Sequence, residues 1–147
     1  MSASPLEYVE GVTPQRDALV RLYDAVGWSA YTANPDQLVA AVDGSAWVLT
    51  AWDDGALVGL IRAVSDDASI AYLQDVLVQP SHHRRGIGRV LVTRFLERFE
   101  HVRQRILLTD DRPEQHAFYA SLGFSDTRAL TKVQLHTFVS YRGLTLE

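Results

Sequence analysis

Hydrophobic and polar positions follow two different periods along the chain. Apolar residues recur at helical spacing over Ala18–Val26, directly after Thr13-Pro14, and a second short helix is predicted from Asn34 through Val42. Three runs rich in strand formers follow: Ala46–Trp52, Ala56–Val64 and Ile70–Val78. Short polar turns join them, and the first, Asp53-Asp54-Gly55, has the Asp-Gly pair of a hairpin turn. Runs joined in this way predict consecutive antiparallel strands.

The pattern changes after residue 80. A polar loop leads into a strongly amphipathic helix, Gly86–Glu100, and a helix is also predicted over Pro113–Leu122. A short apolar strand, Arg105–Thr109, lies between them, one or two further strands are predicted over Arg128–Tyr141, and Tyr8–Val12 is a weak first strand. This order predicts an α+β fold with a local parallel crossover, as a single domain over residues 1–147.

Composition narrows the functional classes. The chain has 147 residues, 47% of them hydrophobic, and no cysteine, which excludes a disulfide scaffold, a thiolate zinc site and a cysteine nucleophile. A net charge of −4 argues against a nucleic-acid partner, and five scattered histidines predict no metal site. The N-terminus has no secretory pattern and the apolar runs are too short for a membrane span, so a soluble, cytoplasmic protein with no membrane partner is expected.

Candidate chemistry concentrates where the strand ending at Val78 gives way to the Gly86–Glu100 helix. The loop ends in a run of basic and small residues: His83, Arg84, Arg85, Gly86, Ile87, Gly88 and Arg89. A helix N-terminus presents unpaired N–H groups, glycine allows close approach of a ligand, and arginine adds charge, so the run suits a diphosphate. The alternative is a glycine-rich helix entry packed on the sheet. Neither Walker A nor the dinucleotide fingerprint is present.

Two motifs resemble one known family. Residues 83–88 resemble the acyl-CoA signature of the GNAT superfamily of N-acetyltransferases, with His83 where glutamine or arginine is usual and glycine at both small positions. Residues 116–124, His-Ala-Phe-Tyr-Ala-Ser-Leu-Gly-Phe, resemble the family's Phe-Tyr-x-x-Leu-Gly-Phe ending. The segment Leu22–Trp28 resembles, more loosely, a subgroup that includes plant plastid acetyltransferases.

The resemblance implies a GNAT fold, with a mixed, mostly antiparallel sheet flanked by about four helices. It also implies transfer of an acetyl group from acetyl-CoA to a primary amine by direct attack in a ternary complex. Tyr119 occupies the position of the tyrosine that protonates the leaving thiolate. Asp75, directly before the Val76–Val78 segment, is the candidate general base from its place on the strand. The alternatives are a structural Asp75, Asp110 as a second candidate, and a water path without a dedicated base. The cofactor would bind the backbone of Val76, Leu77 and Val78 together with the basic loop, Arg112 and Phe118.

The acceptor amine is not identified by the sequence. Four aromatic residues could form a pocket for an arylalkylamine or a cation: Trp28, Tyr31, Trp52 and Tyr72. The acceptor could be a metabolite or a protein amine. An acyl-CoA-binding sensor without turnover and a nucleotide-binding regulatory domain remain alternatives. A homodimer through Val133–Tyr141 is expected from the family's habit and from the apolar residues in that segment.

Overall fold

Five strands form one sheet in the computed structural model, which describes residues 5–146. Residues 1–4 and 147 lie outside the described residues. The predicted single domain includes all of them, and the prediction of an N-terminus without a secretory signal includes residues 1–4. The strands are β1 (Glu7–Glu10), β2 (Trp47–Asp53), β3 (Ala56–Ser65), β4 (Ile70–Val78) and β5 (Gln104–Leu107). They lie in chain order across the sheet; β4 and β5 are parallel and the other neighbours antiparallel. The prediction of a mixed, mostly antiparallel sheet is confirmed.

Five α-helices flank or follow the strands in the described part of the chain. They are α1 (Arg16–Ala25), α2 (Ser29–Thr32), α3 (Pro35–Asp43), α4 (Ile87–Arg98) and α5 (Pro113–Ser121). Asn34 caps α3 through its side chain, which accepts a hydrogen bond from the Gln37 N–H at 3.2 Å, and Pro35 begins the helix. The single turn of α2 was not predicted, because four residues are too few to show a helical period.

The prediction of strands within Arg128–Tyr141 is wrong. The structure has a short 3₁₀ helix at Thr127–Ala129, bends at residues 131–133 and no regular secondary structure over residues 134–140, with one isolated bridge between Tyr141 and Leu144. Residues in this segment alternate as strand formers do, but no neighbouring strand pairs with them in the described chain. A strand needs a partner for its backbone hydrogen bonds, so sequence alternation alone did not produce one.

Both faces of the sheet are covered by helices. Helices α1 and α3 pack on one face in a core cluster with Val48, Leu60 and Leu77. Helix α4 packs on the other face, where Phe95 and Phe99 contact Trp47. The approach of α4 is close enough that a Cβ added at Gly59 would lie 3.0 Å from Cγ2 of Ile87.

A β-bulge at Gln74 shifts the alternation of β4 side chains by one residue, so that residues before and after the bulge are buried on opposite faces of the sheet. Ala63 is opposite Leu73 and Arg62 is opposite Asp75, so Gln74 is the extra residue between them. After the bulge, Asp75 and Leu77 face α1 and α3, whereas Leu73 before it is opposite Ala63 on the α4 face. The burial pattern of β4 continues to alternate through the bulge because both faces are covered.

The chain divides into two compact units. The first extends to Leu108 and contains all five strands with α1–α4, and the second begins at Thr109 and contains α5. Among the described residues of the second unit, each side chain is half-buried or exposed. The assignment of residues 1–147 to one domain stays a prediction. Within residues 5–146, none of the helices has the length and apolar character needed to cross a bilayer.

Candidate active site

Strand β4 loses its β5 partner halfway along its length. β5 pairs with β4 only from Ile70 to Leu73, whereas β3 follows β4 as far as Val78. The Gln79 N–H donates to the Val58 carbonyl at 2.8 Å, so the N–H groups of Val78 and Val76, which alternate with it, point away from β3. They face the edge that β5 has left. This half of β4 therefore offers backbone donors to a ligand, at the segment where the sequence predicted them.

The N-terminus of α4 follows directly on this edge. Gly86 is the N-cap residue with φ 78°, and the preceding Arg84 also has a left-handed φ of 66°. Glycine at the N-cap has no side chain to bond the first-turn N–H groups, and a Cβ built there would meet no atom within 4 Å. The first turn of α4, which carries the partial positive charge of the helix, is thus not covered by a capping side chain. The exposed residues Arg84 and Arg85 lie beside it in the chain.

The basic loop is attached to the sheet through Asp53 of β2 and the Val78 carbonyl of β4. The His82 imidazole lies with Nε2 2.8 Å from Oδ2 of Asp53, at the end of β2, and with Nδ1 2.8 Å from the Ser81 hydroxyl. The Arg85 guanidinium also reaches Oδ2 of Asp53, at 3.4 Å. The hydrogen bond from His82, followed by that from Arg85, holds the pKa of the Asp53 carboxyl below its usual range. His83 turns back to the strand, with Nε2 3.2 Å from the Val78 carbonyl.

Asp75 lies in a buried network on the α1 side of the sheet. Its Oδ2 accepts from Nε of Arg62 at 2.5 Å and from the Tyr23 hydroxyl at 2.9 Å, and its Oδ1 accepts from the Tyr31 hydroxyl at 2.9 Å. The Asp75 and Arg62 side chains are 2% and 8% exposed. A carboxylate that is buried, paired and bonded to three donors is electrostatically satisfied. Burial, reinforced by the charge of Asp75, raises the pKa of both tyrosine hydroxyls.

Two of the four candidate acceptor residues lie together. The rings of Trp28 and Tyr31 have centroids 5.9 Å apart, and both contact the buried ring of Tyr23. Trp52 packs against the same core cluster as Trp28 and Tyr31, and its Nε1 donates to the Thr50 hydroxyl at 2.8 Å. Tyr72 lies on β4 before the bulge, opposite Val64 and Ile106.

The remaining candidates belong to the second unit. Arg112 is the N-cap residue of α5, and its guanidinium lies 3.6 Å from Glu114. The half-buried ring of Tyr119 contacts Phe118 and Phe124, with centroid distances of 5.0 and 5.8 Å. Burial raises the pKa of the Tyr119 phenol. A phenol with a raised pKa remains a proton donor throughout the neutral range.

Sequence analysis missed Asp53, His82, Arg62, Tyr23 and Gln74. No local motif marks these residues, because their partners lie far away along the chain or, for Gln74, depend on the bulge. The Asp-Gly turn after Asp53 was recognisable, but not the contact that it makes with the loop. In the part of the chain described, no group of three or more His, Asp or Glu side chains is placed to hold a metal ion.

Comparison with known proteins decides the family. The sequence profile of the Acetyltransferase (GNAT) family matches residues 16–124. The chain belongs to the GNAT acetyltransferase family. A GNAT family acetyltransferase from Streptococcus pneumoniae TIGR4 superposes with a TM-score of 0.75 at 31% identity, covering 90% of this chain and 98% of that one. The expected GNAT fold is confirmed.

Other relatives by sequence are also named acetyltransferases and differ in length. "GCN5-related N-acetyltransferase 3, chloroplastic" of Arabidopsis thaliana is 33% identical over 88 residues, which are 57% of this chain and 35% of the relative. The chain spans between 35% and 62% of the length of the curated relatives that it matches. The aminoglycoside N-acetyltransferase AAC(6')-Iy, solved in complex with CoA, shares the fold at 15% identity with a TM-score of 0.69, covering 96% of this chain and 97% of that one.

Proposed function

We propose that this protein is an N-acyltransferase that moves an acetyl group from acetyl-CoA to a primary amine by direct attack in a ternary complex. The observation that carries the proposal is the open edge of β4. Two backbone N–H groups, of Val76 and Val78, point to the side that β5 has left. The N-terminus of α4 with its glycine cap and arginines follows within ten residues of Val78.

These features suit two parts of acetyl-CoA, the pantetheine arm and the diphosphate. The pantetheine arm carries amide groups that can pair with the free edge of the Val76–Val78 segment as another strand would. The backbone groups of Val76 and Val78 face this edge, whereas those of Leu77, predicted to bind the cofactor as well, face β3. The diphosphate suits the first turn of α4, where Gly86, Ile87, Gly88 and Arg89 present N–H groups and Arg84 and Arg85 present charge. His83, held against the Val78 carbonyl, would lie between the two parts.

The transfer step requires a donor for the carbonyl oxygen and a proton for the leaving sulfur. The attacking amine nitrogen forms a bond to the carbonyl carbon, and the carbon–sulfur bond breaks. An N–H of the β4 edge would stabilise the negative charge that develops on the oxygen. The Tyr119 phenol would protonate the departing thiolate, because burial raises its pKa and keeps it protonated in the neutral range until the thiolate forms. Arg112 and Phe118, which belong to the same unit as Tyr119, are proposed to bind the cofactor.

Asp75 is proposed to act on the amine side of the reaction. Three donors already occupy its oxygens: Nε of Arg62 and the hydroxyls of Tyr23 and Tyr31. Of these donors, Arg62 and Tyr23 are buried, whereas Tyr31 is half-buried. Any influence of Asp75 on an amine would therefore pass through the Tyr31 hydroxyl. The amine itself must lose a proton, directly or through water, before or during attack.

Small-molecule amines are the proposed acceptors, with protein amines as the alternative. Two solved relatives by fold are described as aminoglycoside acetyltransferases, one of them in complex with sisomicin. In this chain the paired rings of Trp28 and Tyr31 would suit an amine with an apolar or cationic body, and Trp52 and Tyr72 are further candidates. We retain the prediction that the protein is cytoplasmic.

A homodimer is part of the proposal. Large apolar side chains in the C-terminal segment are between 48% and 94% exposed: Val133, Leu135, Phe138, Val139, Tyr141, Leu144 and Leu146. Apolar residues at this density are ordinarily covered in solution. A second copy of the chain is the expected cover, and light scattering should report a dimer that Phe138→Asp converts to a monomer.

Titration with acetyl-CoA tests the function first. Calorimetry with acetyl-CoA should show micromolar binding, and ATP and NAD should not compete with it. Thiol release in the presence of an amine panel then reports transfer. Binding without any thiol release would favour the sensor without turnover, ATP or NAD binding would favour the nucleotide-binding alternative, and no binding of acetyl-CoA would overturn the proposal.

A further inference from the structure

The Tyr31 hydroxyl lies where β4 parts from β5. It donates to Oδ1 of Asp75 at 2.9 Å and accepts from Nε2 of Gln74 at 3.2 Å. Gln74 is the first residue of β4 beyond the pairing with β5, which ends at Leu73. The hydroxyl is therefore beside the beginning of the open strand edge, within the first unit.

The bulge explains how one hydroxyl contacts two successive residues of a strand. In a regular strand, Gln74 and Asp75 would project to opposite faces. In the bulge both stand opposite Arg62, which brings the two side chains to the same side of the sheet. A regular strand in this place would leave Tyr31 only one of its two partners.

The two contacts fix the direction of the Tyr31 hydroxyl. Its proton is committed to Asp75, a carboxylate that the Arg62 guanidinium holds in place from the buried side. Gln74 contacts the oxygen as a donor, so what the oxygen can still offer to a ligand is its electron pair. Burial and the adjacent Asp75 charge raise the pKa of Tyr31, so the hydroxyl stays neutral in the physiological range. Such an oxygen accepts an N–H and does not donate.

This oxygen is close to the proposed position of the thioester. The Val76 N–H, proposed to bind the carbonyl, follows Asp75 directly, and a strand advances about 3.3 Å per residue. An amine nitrogen bonded to the Tyr31 oxygen could then reach a carbonyl carbon held at Val76. The ring of Trp28, 5.9 Å from that of Tyr31, would flank the carbon chain of the amine.

We propose that the phenolic oxygen of Tyr31 accepts a hydrogen bond from the acceptor's amine nitrogen and so selects alkylamines with a free N–H, with Asp75 and Gln74 as positioning residues behind it. This inference rests on the proposed acetyltransferase function. Tyr31 orients the acceptor; Asp75 does not itself touch the amine.

Tyr23 provides a matched control. Tyr23 and Tyr31 each donate one hydrogen bond of 2.9 Å to Asp75, but the Tyr23 side chain is fully buried and cannot touch a substrate. Tyr31→Phe and Tyr23→Phe therefore remove equivalent bonds from the same carboxylate. Only the first removes the proposed contact with the amine.

The experiment compares both variants with the unmodified full chain. Calorimetry gives the Kd for acetyl-CoA, and thiol release at saturating acetyl-CoA gives KM and kcat for benzylamine, 2-phenylethylamine and hexylamine. We expect Tyr31→Phe to raise the amine KM about tenfold or more, as for a lost hydrogen bond to a polar or charged group, with the acetyl-CoA Kd unchanged. Tyr23→Phe should lower the melting temperature and leave the amine KM near that of the unmodified chain.

Three outcomes overturn the inference. An unchanged amine KM in Tyr31→Phe removes the contact, and an equal rise in both variants shows that the bonds to Asp75 are structural only. Thiol release with other amines of the panel but with none of the three alkylamines rejects the proposed selectivity. These results differ from failure of the proposed function itself, in which the unmodified chain does not bind acetyl-CoA or releases no thiol with any amine.

Discussion

The imidazole of His82 and the carboxylate of Asp53, 29 residues apart in sequence, meet at 2.8 Å and join the basic loop to the β2–β3 hairpin. Arg85 reaches the same carboxylate oxygen, so one side chain restrains two residues of the loop. The contact also has a cost for anion binding, since Asp53 places a negative charge near the proposed diphosphate site. Its two effects, restraint and charge, can be separated by substitution.

Asp53→Ala and Asp53→Asn should affect acetyl-CoA binding differently. Alanine removes both the hydrogen bonds and the charge, and we expect the Kd to rise about three- to tenfold because the loop must be ordered on binding. Asparagine keeps an oxygen that can accept from His82 and removes the charge, so its Kd should stay near that of the unmodified chain or fall. Calorimetry measures both.

Asp54→Asn is the control for the lost charge at the hairpin. Asp54 is exposed and has a φ of 49°, a conformation that asparagine tolerates. It should bind acetyl-CoA as the unmodified chain does. Equal Kd values for Asp53→Ala and Asp54→Asn would show that the contact with His82 does not position the loop.

A side chain at Gly86 should reduce both stability and acetyl-CoA binding, whereas a side chain at Gly11 should reduce stability alone. Both residues have φ 78°, and a Cβ at either meets no atom within 4 Å. Alanine at either position should therefore cost about 1–2 kcal/mol of stability through the left-handed conformation. At Gly86 the added methyl group would also enter the space proposed for the diphosphate, so only Gly86→Ala should raise the acetyl-CoA Kd, by about tenfold or more.

Thermal unfolding and calorimetry on the two glycine variants separate strain from obstruction. Similar losses of melting temperature with different Kd values would support the site. If Gly11→Ala weakened acetyl-CoA binding as much as Gly86→Ala did, global strain would explain the loss and the open helix N-terminus would have no demonstrated ligand.

Tyr119→Phe should lower kcat about a hundredfold and leave the acetyl-CoA Kd unchanged, because the phenol is proposed to act only as the thiolate departs. The active form is the protonated phenol, which is present below its pKa. Since burial raises that pKa above its ordinary value of about 10, kcat should show no alkaline fall below about pH 10. The measurement is kcat against pH for the unmodified chain.

Tyr141→Phe is the matched control in the same unit, because that phenol is 53% exposed. It should keep full activity. A Tyr119→Phe variant with normal kcat, or an alkaline fall in kcat near neutral pH in the unmodified chain, would contradict the role proposed for Tyr119.

Local signals in the sequence predicted most of the elements but not the network around Asp75. The Ile70–Val78 strand has the predicted bounds, and the Asp-Gly turn and the start of α3 at Asn34-Pro35 are as expected, because turns and caps depend on adjacent residues. The bulge at Gln74 could not be predicted from the hydrophobic pattern, since both faces of β4 are covered and the burial of its residues alternates through the bulge. The partners of Asp75, from 13 to 52 residues away, depend on how helices pack on the sheet.

The Asp75–Arg62 pair should be strongly coupled, in contrast to the exposed pair of Arg16 and Asp36. Removal of one partner by Arg62→Met or Asp75→Leu leaves the other charge buried and should lower the free energy of unfolding by about 3–5 kcal/mol. The double variant should cost less than the sum of the single changes, although Tyr23 then loses its acceptor. In the double-mutant cycle for Arg16 and Asp36, whose side chains are 56% and 81% exposed, the coupling should be about 0–1 kcal/mol.

Urea unfolding of the six variants with the unmodified chain measures both couplings. A large coupling for Arg62 and Asp75 alone would show that Arg62 fixes the buried Asp75 carboxylate, which accepts the Tyr31 hydrogen bond. Additive effects at both pairs would mean that water or local relaxation screens the buried charges. In that case Asp75 would not be fixed by Arg62, and its hydrogen bond could not be what orients the Tyr31 hydroxyl.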